Sequence, residues 1–431
     1  MVDPLRFERL CRQHDELRAD FDLLLRGMER CGPALPGDAR AILRTLAWVH
    51  REKFAKILKR FPLSEGGPSP SLADALQPEA LRVVVAQCGG NSNELSALRE
   101  ASVACRVCVE TTQAEVYVFG GGHFAYSDAL KTAERFDLHK GRWESLPSMR
   151  LKRIGGAAGV IGGRVYVVGG LGDLCRVVEE FDPMSRSWDC TTPVLRPSKE
   201  RFQPAAASIA GRLYICGGED SAAGVVHDTV ECLDSRLPRG RGKCEELPAR
   251  MLMARRHCAA APFPGRARTL MVHGGVSTLS IKDGARQDPT HGTGEVLNLS
   301  APDGEWQLVS EPLFRRGHCM ATMNGRTYLC GGHRGDQLPL SGCAYIDVRA
   351  PSTLTELAPM SAARAEFGMV AVAGSLYVFG GGGSYVRGTR ALCSAERYDV
   401  PTATWEPLPD MTQGRLGFSV AVVVRLRASA A

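Results

Sequence analysis

Six short apolar segments with strand character end in a pair of glycines, and they recur at a regular distance. The runs before the pairs read VYVF, VYVV, LYIC, LMVH, TYLC and LYVF. Most of their residues are β-branched or aromatic, which suits a half-buried pleated surface. The pairs are Gly120-Gly121, Gly169-Gly170, Gly217-Gly218, Gly274-Gly275, Gly331-Gly332 and Gly380-Gly381. Because successive pairs are 48 to 57 residues apart, the pattern predicts one four-stranded β-sheet per period.

A Glu-x-aromatic-Asp segment followed by a tryptophan recurs behind several of the glycine pairs. The clearest examples are ERFD at 134–137 with Trp143, EEFD at 179–182 with Trp188, and ERYD at 396–399 with Trp405. The third, fourth and fifth repeats keep only parts of this pattern. Together these residues resemble the kelch repeat family, and the resemblance covers residues 112 to 431. It implies a β-propeller.

The number of blades follows from a count of strands, labelled a to d from the axis outward. An a strand is predicted near 157–161, 205–210, 258–262, 319–324, 368–373 and 418–424. The first glycine pair, however, ends a b strand with no convincing a strand before it. We therefore predict a mainly β fold, a six-bladed kelch β-propeller over residues 112–426. Its first blade takes the strand Phe418–Val424 from the C-terminal region, which removes open sheet edges. Residues 427–431 are predicted to be a tail.

The N-terminal region has helical periodicity instead. Phe7, Leu10, Leu17, Phe21 and Leu24 fall on one apolar stripe, and a second stripe follows a Gly-Pro-rich break. Residues 1–65 are therefore predicted to form a helical hairpin, followed by a flexible linker at 66–71. The hairpin could bury its own seam, dock on the next domain or dimerise through the stripe. Its second helix is basic, which fits either a solvated face or an acidic or nucleic-acid partner.

Residues 72–111 contain a Leu-x-Pro-Glu segment that opens one apolar helix, and a second helix with Leu-Arg-x-x-Ser-x-x-Cys-Arg. In these features they resemble an F-box, the helical module that binds the small adaptor of Skp-cullin-F-box ubiquitin ligases. It implies that the adaptor-binding residues are Leu76, Pro78, Leu81, Leu95 and Leu98. The alternative is that residues 83–85 form a strand of a degenerate extra blade, since Gly89-Gly90 imitates the repeat.

Composition limits where the protein acts. Hydrophobic residues make up 44% of the chain, yet no stretch reaches the 18 or more apolar residues of a membrane span. The N-terminus is too charged for a secretory signal, so we expect a cytoplasmic or nuclear protein with no membrane contact. Fifteen scattered cysteines fit reduced thiols. Cys105 and Cys108 have metal-type spacing but no second pair, so we expect neither metal nor cofactor.

Strand direction predicts which end of the ring binds partners. In a meander of a, b, c and d strands, the b–c and d–a connections emerge at the same end, which we call the loop end. An arginine recurs there before successive a strands, and it is expected to form a ring of guanidinium groups around the channel mouth. The predicted mouth residues are Arg153, Arg201, Arg256, Arg316, Arg364 and Arg415, with His333, Tyr385 and Arg387 from loops. Similar arginines in kelch relatives hold acidic peptides, whereas a structural role, bonding neighbouring loop carbonyls, is the alternative.

Known motifs of catalysis are not found. The sequence has no Gly-rich phosphate loop, nucleophile elbow or His-Glu-x-x-His motif. We therefore expect no enzyme, but the substrate receptor of a cullin-RING ligase. In this hypothesis the F-box binds the Skp-type adaptor and through it the cullin, and the propeller binds an acidic or phosphorylated target; nucleic acid is not expected as a partner. The alternatives are a kelch scaffold for a cytoskeletal or signalling protein and a sugar-processing enzyme resembling sialic acid epimerases.

Overall fold

A computed structural model describes the part of the chain from residue 114 to residue 424, with several gaps. The gaps are 125–127, 172–175, 190–195, 235–243, 264–265, 267, 278–279, 283–284, 288–289, 302–303, 310–312, 335–337, 348–349 and 383–389. These described residues belong to the second of two compact units, Gln113–Ala431. The predicted helical hairpin, linker, F-box-like module and C-terminal tail lie outside them.

The described residues form six four-stranded antiparallel sheets, the blades of a propeller. Blade one contains β28 (Ser419–Val424), β1 (Ala114–Phe119), β2 (Ala133–Asp137) and β3 (Arg142–Leu146). Blade two contains β4 (Ile154–Ile161), β5 (Arg164–Leu171), β6 (Glu179–Asp182) and β7 (Ser187–Trp188). Blade three contains β8 (Ala205–Ile209), β9 (Arg212–Cys216), β12 (Val230–Asp234) and β13 (Cys244–Glu246).

The second half of the ring repeats this order from the innermost strand outward. Blade four contains β14 (Ala259–Pro262), β15 (Thr269–His273), β18 (Gly294–Asn298) and β19 (Gln307–Val309). Blade five contains β20 (Cys319–Met323), β21 (Arg326–Cys330), β22 (Cys343–Asp347) and β23 (Ala350–Leu357). Blade six contains β24 (Gly368–Val372), β25 (Ser375–Phe379), β26 (Ala395–Asp399) and β27 (Thr404–Leu408). The predicted six-bladed propeller is confirmed.

The last described strand closes the ring. β28 pairs with β1 in antiparallel register from Ala114 opposite Val424 to Phe119 opposite Ser419. The alternating residues Ala421 and Val423 are buried in the core between blades one and two, and Phe418 packs between blades six and one. The predicted exchange of one strand between the two ends of the propeller is therefore confirmed, and it leaves β1 paired on both sides.

Each pair of neighbouring blades encloses its own apolar core, so the core of the propeller is divided among six blade interfaces. Tryptophans of the outer strands join the blades at the rim. Their indole N–H groups donate to carbonyls of the preceding blade: Trp143 to Pro409 at 2.9 Å, Trp188 to Pro147 at 2.9 Å, Trp306 to Ala249 at 3.4 Å and Trp405 to Ala358 at 2.8 Å. The recurring tryptophan is thus an inter-blade contact.

The glycine pairs allow the next blade to approach closely. Gly217 has a φ of 61°, and a Cβ there would lie 2.1 Å from the carbonyl oxygen of Arg255. That oxygen accepts a hydrogen bond from the N–H of Gly218 at 2.8 Å. A side chain at this position would clash with backbone, and positive φ is costly for most other residues. The glycines therefore fix where each d–a connection sits.

Two small hairpins extend the loop end beyond the predicted strands. β10 (Glu219–Asp220) pairs with β11 (Val225–Val226) in blade three, and β16 (Ser280–Lys282) pairs with β17 (Ala285–Gln287) in blade four. Both lie in b–c connections. The sequence analysis predicted neither hairpin, because strands of two or three residues carry no readable alternation. No described helix has the length and apolarity needed to cross a membrane.

We predict that a chain ending at Gly417 will aggregate, or will unfold at a much lower temperature than the full-length protein. Without β28, the backbone of β1 and the apolar core between blades six and one are exposed. Size-exclusion chromatography and thermal unfolding measure the effect. A chain ending at Val424, which keeps β28, is the control. Equal solubility and melting temperature for the two truncations would contradict the closure described here.

Candidate functional site

An arginine before the innermost strand forms a buried ion pair in five of the six blades, and we call this pair the brace. The arginine N–O glutamate distances are 2.9 Å for Arg153–Glu179, 2.8 Å for Arg201–Glu231, 2.7 Å for Arg255–Glu295, 3.0 Å for Arg364–Glu396 and 2.7 Å for Arg415–Glu134. The arginine side chains are at most 3% exposed. Arg415 and Glu134 also join the two ends of the propeller sequence.

Blade six shows how completely such a brace satisfies its charges. Nη1 of Arg364 donates to the carbonyls of Gly380 at 2.7 Å and Ser394 at 2.9 Å, while Nε and Nη2 donate to Oε1 of Glu396. Oε2 of Glu396 accepts the backbone N–H of Ser361 at 2.9 Å. Burial lowers the pKa of Arg364, an effect that Glu396 opposes. The two charges are therefore compensated inside the protein.

This geometry corrects the sequence expectation for four of the predicted mouth arginines. Arg153, Arg201, Arg364 and Arg415 do not present free guanidinium groups, because each donates to a glutamate and to the carbonyl of a neighbouring glycine. These contacts give the four arginines the structural role that the sequence analysis named as the alternative.

The six predicted arginines also do not occupy one equivalent position of the repeat. In blades four and five the brace position belongs to Arg255 and Arg315, whereas Arg256 and Arg316 come one residue later. Two adjacent arginines made the assignment ambiguous. The hairpin of blade four is also longer, so Arg255 lies 19 residues before Gly274, whereas Arg315 lies 16 before Gly331.

Arg256 and Arg316 lie beside the channel mouth. Nη1 of Arg256 is 3.1 Å from a carboxylate oxygen of Glu219 and 3.4 Å from the side-chain oxygen of Gln203. The backbone of Arg316 pairs with His333. Arg256, Arg316 and His333 are 7%, 5% and 2% exposed, so the predicted mouth residues are largely covered by their neighbours. Tyr385 and Arg387 lie outside the described residues.

A closed ring of six backbone hydrogen bonds encircles the channel. The contributing residue comes two positions after each brace arginine, and all six have left-handed φ values between 52° and 69°. In ring order they are Gly155, Gly417, Glu366, Gly317, His257 and Gln203, each N–H donating to the carbonyl of the next at 2.6 to 3.1 Å. Every blade is thereby bonded to both neighbours at the axis.

Three members of this ring carry polar side chains where the other three have glycine. The carboxylate of Glu366 lies 3.3 Å from Nδ1 of His257 and 3.4 Å from Nε2 of Gln203. Burial, Arg256 and Arg316 hold the pKa of His257 well below its usual value, so the imidazole is neutral at pH 7. Left-handed φ is uncommon for such residues and costs energy.

The mouth therefore combines both signs of charge. Arg256 pairs with Glu219, and Glu366 contacts His257 and Gln203. A cavity of about 210 Å³ lies along the first strands of the blades. The polar residues of the ring were missed from the sequence. Alignment of Arg153-Ile154-Gly155 with Arg415-Leu416-Gly417 and with Arg255-Arg256-His257 provides the signal that could have found them.

Neither a metal site nor the adaptor contact can be built from the described residues. In that part of the chain, no group of three or more His, Cys, Asp or Glu side chains is placed to hold a metal ion. The five leucine and proline residues predicted to bind the adaptor, Leu76, Pro78, Leu81, Leu95 and Leu98, all lie outside it.

Comparison with known proteins agrees with the repeat pattern. The Kelch motif matches residues 104–150, 152–194, 200–248 and 363–412. The first match begins inside the segment predicted to be an F-box-like module, and no F-box was found. The chain therefore contains Kelch motifs, and its described residues form a six-bladed propeller.

Relatives carry the same repeat in two kinds of protein. Human Kelch-like protein 26 is 34% identical over 145 residues, which cover 31% of this chain and 23% of the relative. Human Kelch-like protein 35 is 32% identical over 120 residues, covering 27% and 19%. An F-box/kelch-repeat protein of Arabidopsis thaliana is 30% identical over 101 residues, covering 23% and 26%. The matched part thus spans about a quarter of each relative.

We predict that Arg364→Ala will lower the free energy of unfolding by about 3 to 5 kcal/mol, because it leaves the carboxylate of Glu396 buried without its partner. Arg250→Ala is the matched control, since Arg250 is 60% exposed and its ion pair with Asp228 should contribute at most about 1 kcal/mol. Urea unfolding of both variants measures the difference. Similar losses in the two variants would show that the brace is not a special contact.

Proposed function

We propose that the propeller recognises another protein through its loop end. The observation that carries this proposal is the distribution of exposed large hydrophobic residues. Of the nine in the described part of the chain, six lie in or next to b–c and d–a connections: Phe124, Leu171, Val225, Leu252, Phe314 and Leu338. Exposed apolar surface bordered by polar residues marks protein-interaction sites, and these six side chains lie at the same end of the ring as the polar mouth. The proposed interface with the target protein is therefore the loop end of the ring.

The target is proposed to be an extended or turn-like segment with carboxylates or phosphate. Arg256 is the described mouth arginine that can change partner, because its contacts with Glu219 and Gln203 are made by Nη1 while its Nε has no hydrogen bond among the described residues. Arginine can hold such anions through charge-assisted hydrogen bonds. Glu219 competes with the target for the same guanidinium group.

Because of this competition, replacing Arg256 and replacing Glu219 are predicted to change the affinity for the target in opposite directions. Arg256→Ala should weaken capture of the target at least about tenfold, the loss expected for one buried charged contact. Glu219→Gln should strengthen it, since the guanidinium group is released from its internal carboxylate. Arg316→Ala is expected to weaken capture as well.

The measurement uses full-length protein, proteins captured from cell lysate, and binding titrations at low and high salt. Melting temperature is followed in parallel, and the steering part of the attraction should decline with salt. A loss of stability in Arg256→Ala without a specific loss of affinity would assign Arg256 to the framework. Weaker binding by Glu219→Gln would argue against an acidic target.

We further propose that the protein is a substrate receptor of an SCF-type cullin-RING ubiquitin ligase, acting in the cytoplasm or nucleus. Support comes from the F-box resemblance of residues 72–111 and from the F-box/kelch-repeat relative. In this proposal the propeller selects the target, residues 72–111 bind the Skp-type adaptor, and catalysis belongs to the ligase partners. The alternative is a kelch scaffold for a cytoskeletal or signalling protein without a ligase link.

The ligase proposal predicts that full-length protein captures adaptor and cullin. Leu81→Ala combined with Leu98→Ala should reduce adaptor capture at least about tenfold, because buried apolar anchors dominate such interfaces. Affinity purification with mass spectrometry measures the capture. Unchanged melting of the propeller and unchanged target binding are the controls. If wild-type protein recovers targets but neither adaptor nor cullin, the scaffold alternative replaces the ligase proposal.

A further inference from the structure

Blade five keeps the brace arginine but lacks its carboxylate. The glutamate of each brace stands three residues before the polar residue that ends the c strand, as Glu396 stands before Asp399. In β22 the corresponding residue before Asp347 is Ala344, which is 2% exposed. Its backbone keeps the usual register, opposite Leu329 and Glu356. The sheet is therefore intact, and only the acidic side chain is replaced.

The backbone donor that serves the carboxylate in the other blades is changed as well. It is the N–H three residues before the brace arginine, as in Ser198 with Glu231, Leu252 with Glu295 and Thr412 with Glu134. The residue three before Arg315 is Pro312, which has no N–H. Loss of the donor and loss of the acceptor thus coincide in blade five.

Arg315 nevertheless remains in the brace geometry. Its Nη1 donates to the carbonyls of Gly331 at 2.8 Å and Gly342 at 2.7 Å, the contacts that Arg364 makes with Gly380 and Ser394. Among the described residues, its Nε and Nη2 make no hydrogen bond and Arg315 forms no ion pair. The guanidinium group is held in place with three of its five N–H donors unused.

The unused donors lie close to solvent. Arg315 is 9% exposed, whereas the five paired brace arginines are at most 3% exposed. Burial lowers the pKa of Arg315, an effect that the more distant Cys330, Cys343 and Glu356 oppose. Leaving a mostly buried charge unpaired is costly. An external anion that reached Arg315 would pair with a guanidinium group that is already withdrawn from water, so binding would require no further desolvation of the arginine.

We propose that Arg315 and the space beside Ala344 form a binding site for a carboxylate group that blade five does not supply. Nε and Nη2 of Arg255 show the expected geometry, since both donate to one oxygen of Glu295 at 2.9 and 2.7 Å. The carboxylate comes from an Asp or Glu side chain or the C-terminus of a bound protein. Exposed Phe314 and Leu338 in the adjoining connections provide apolar contact for such a segment. The proposal does not depend on the ligase link.

Acetate is the probe for this site. In thermal unfolding, full-length wild type should be stabilised more by sodium acetate than by sodium chloride at equal ionic strength, by about 2 °C or more. Arg315→Met should remove this difference. Ala344→Glu should raise the melting temperature in chloride and also abolish the acetate effect, because the chain then supplies its own carboxylate. Glu396→Ala is the positive control: it creates the same gap beside Arg364 in blade six.

The opposite result overturns the proposal. If wild type responds equally to both salts and Ala344→Glu is destabilised, no carboxylate site exists beside Ala344. Glu356, which lies opposite Ala344 in β23, is the internal competitor: an acetate response that appears only in Glu356→Gln would mean that the chain fills the site itself, which also contradicts the proposal.

Protein capture then identifies the source of the carboxylate. If Ala344→Glu loses both the acetate effect and a set of captured proteins, the carboxylate belongs to a protein partner. If it loses the acetate effect while capture is unchanged, the site holds a small free carboxylate. The first outcome supports the whole proposal, whereas the second keeps the carboxylate site but overturns a bound protein as its source.

Discussion

The ion pair between a buried arginine and a buried glutamate is the interaction on which this ring depends. Each pair ties the connection that enters a blade to the third strand of that blade, and Arg415–Glu134 does so across the two ends of the propeller. Such pairs add little net stability, because removing two charges from water costs free energy. Their value lies in geometry: the guanidinium fork reaches glycine carbonyls and a carboxylate together, which fixes the height of every connection.

Because most of these arginines form braces, few of their guanidinium groups are left to contact a partner. A sequence rich in arginine before each inner strand suggests a basic mouth, but four of the six predicted residues are withdrawn into braces. What faces the axis is a balanced set in which Arg256 contacts Glu219 and Glu366 contacts His257. A carboxylate that reaches Arg256 must therefore compete with Glu219 for the guanidinium group, which favours specificity over simple attraction.

The repeats also differ from one another in an informative way. Five blades carry the full brace, four carry the rim tryptophan, and blade five has neither a brace carboxylate nor a tryptophan in its outer strand. A cyclic structure tolerates one weaker member because its neighbours hold it on both sides, at the axial backbone ring and at the blade cores. Blade five can therefore lack a carboxylate beside Arg315, at the position that a glutamate occupies in the other blades.

The sequence by itself determined the repeat period, the glycine turns, the six blades and the strand exchange between Phe418 and Val424. These features are local or periodic: strand composition, left-handed glycine and a one-strand offset can be counted along the chain. Only the tertiary structure decided which of two adjacent arginines enters a brace, that Gln203, His257 and Glu366 meet at the axis, and that Arg315 lacks a carboxylate. Those outcomes depend on contacts between residues tens to hundreds of positions apart, and composition and spacing do not encode which side chain turns inward.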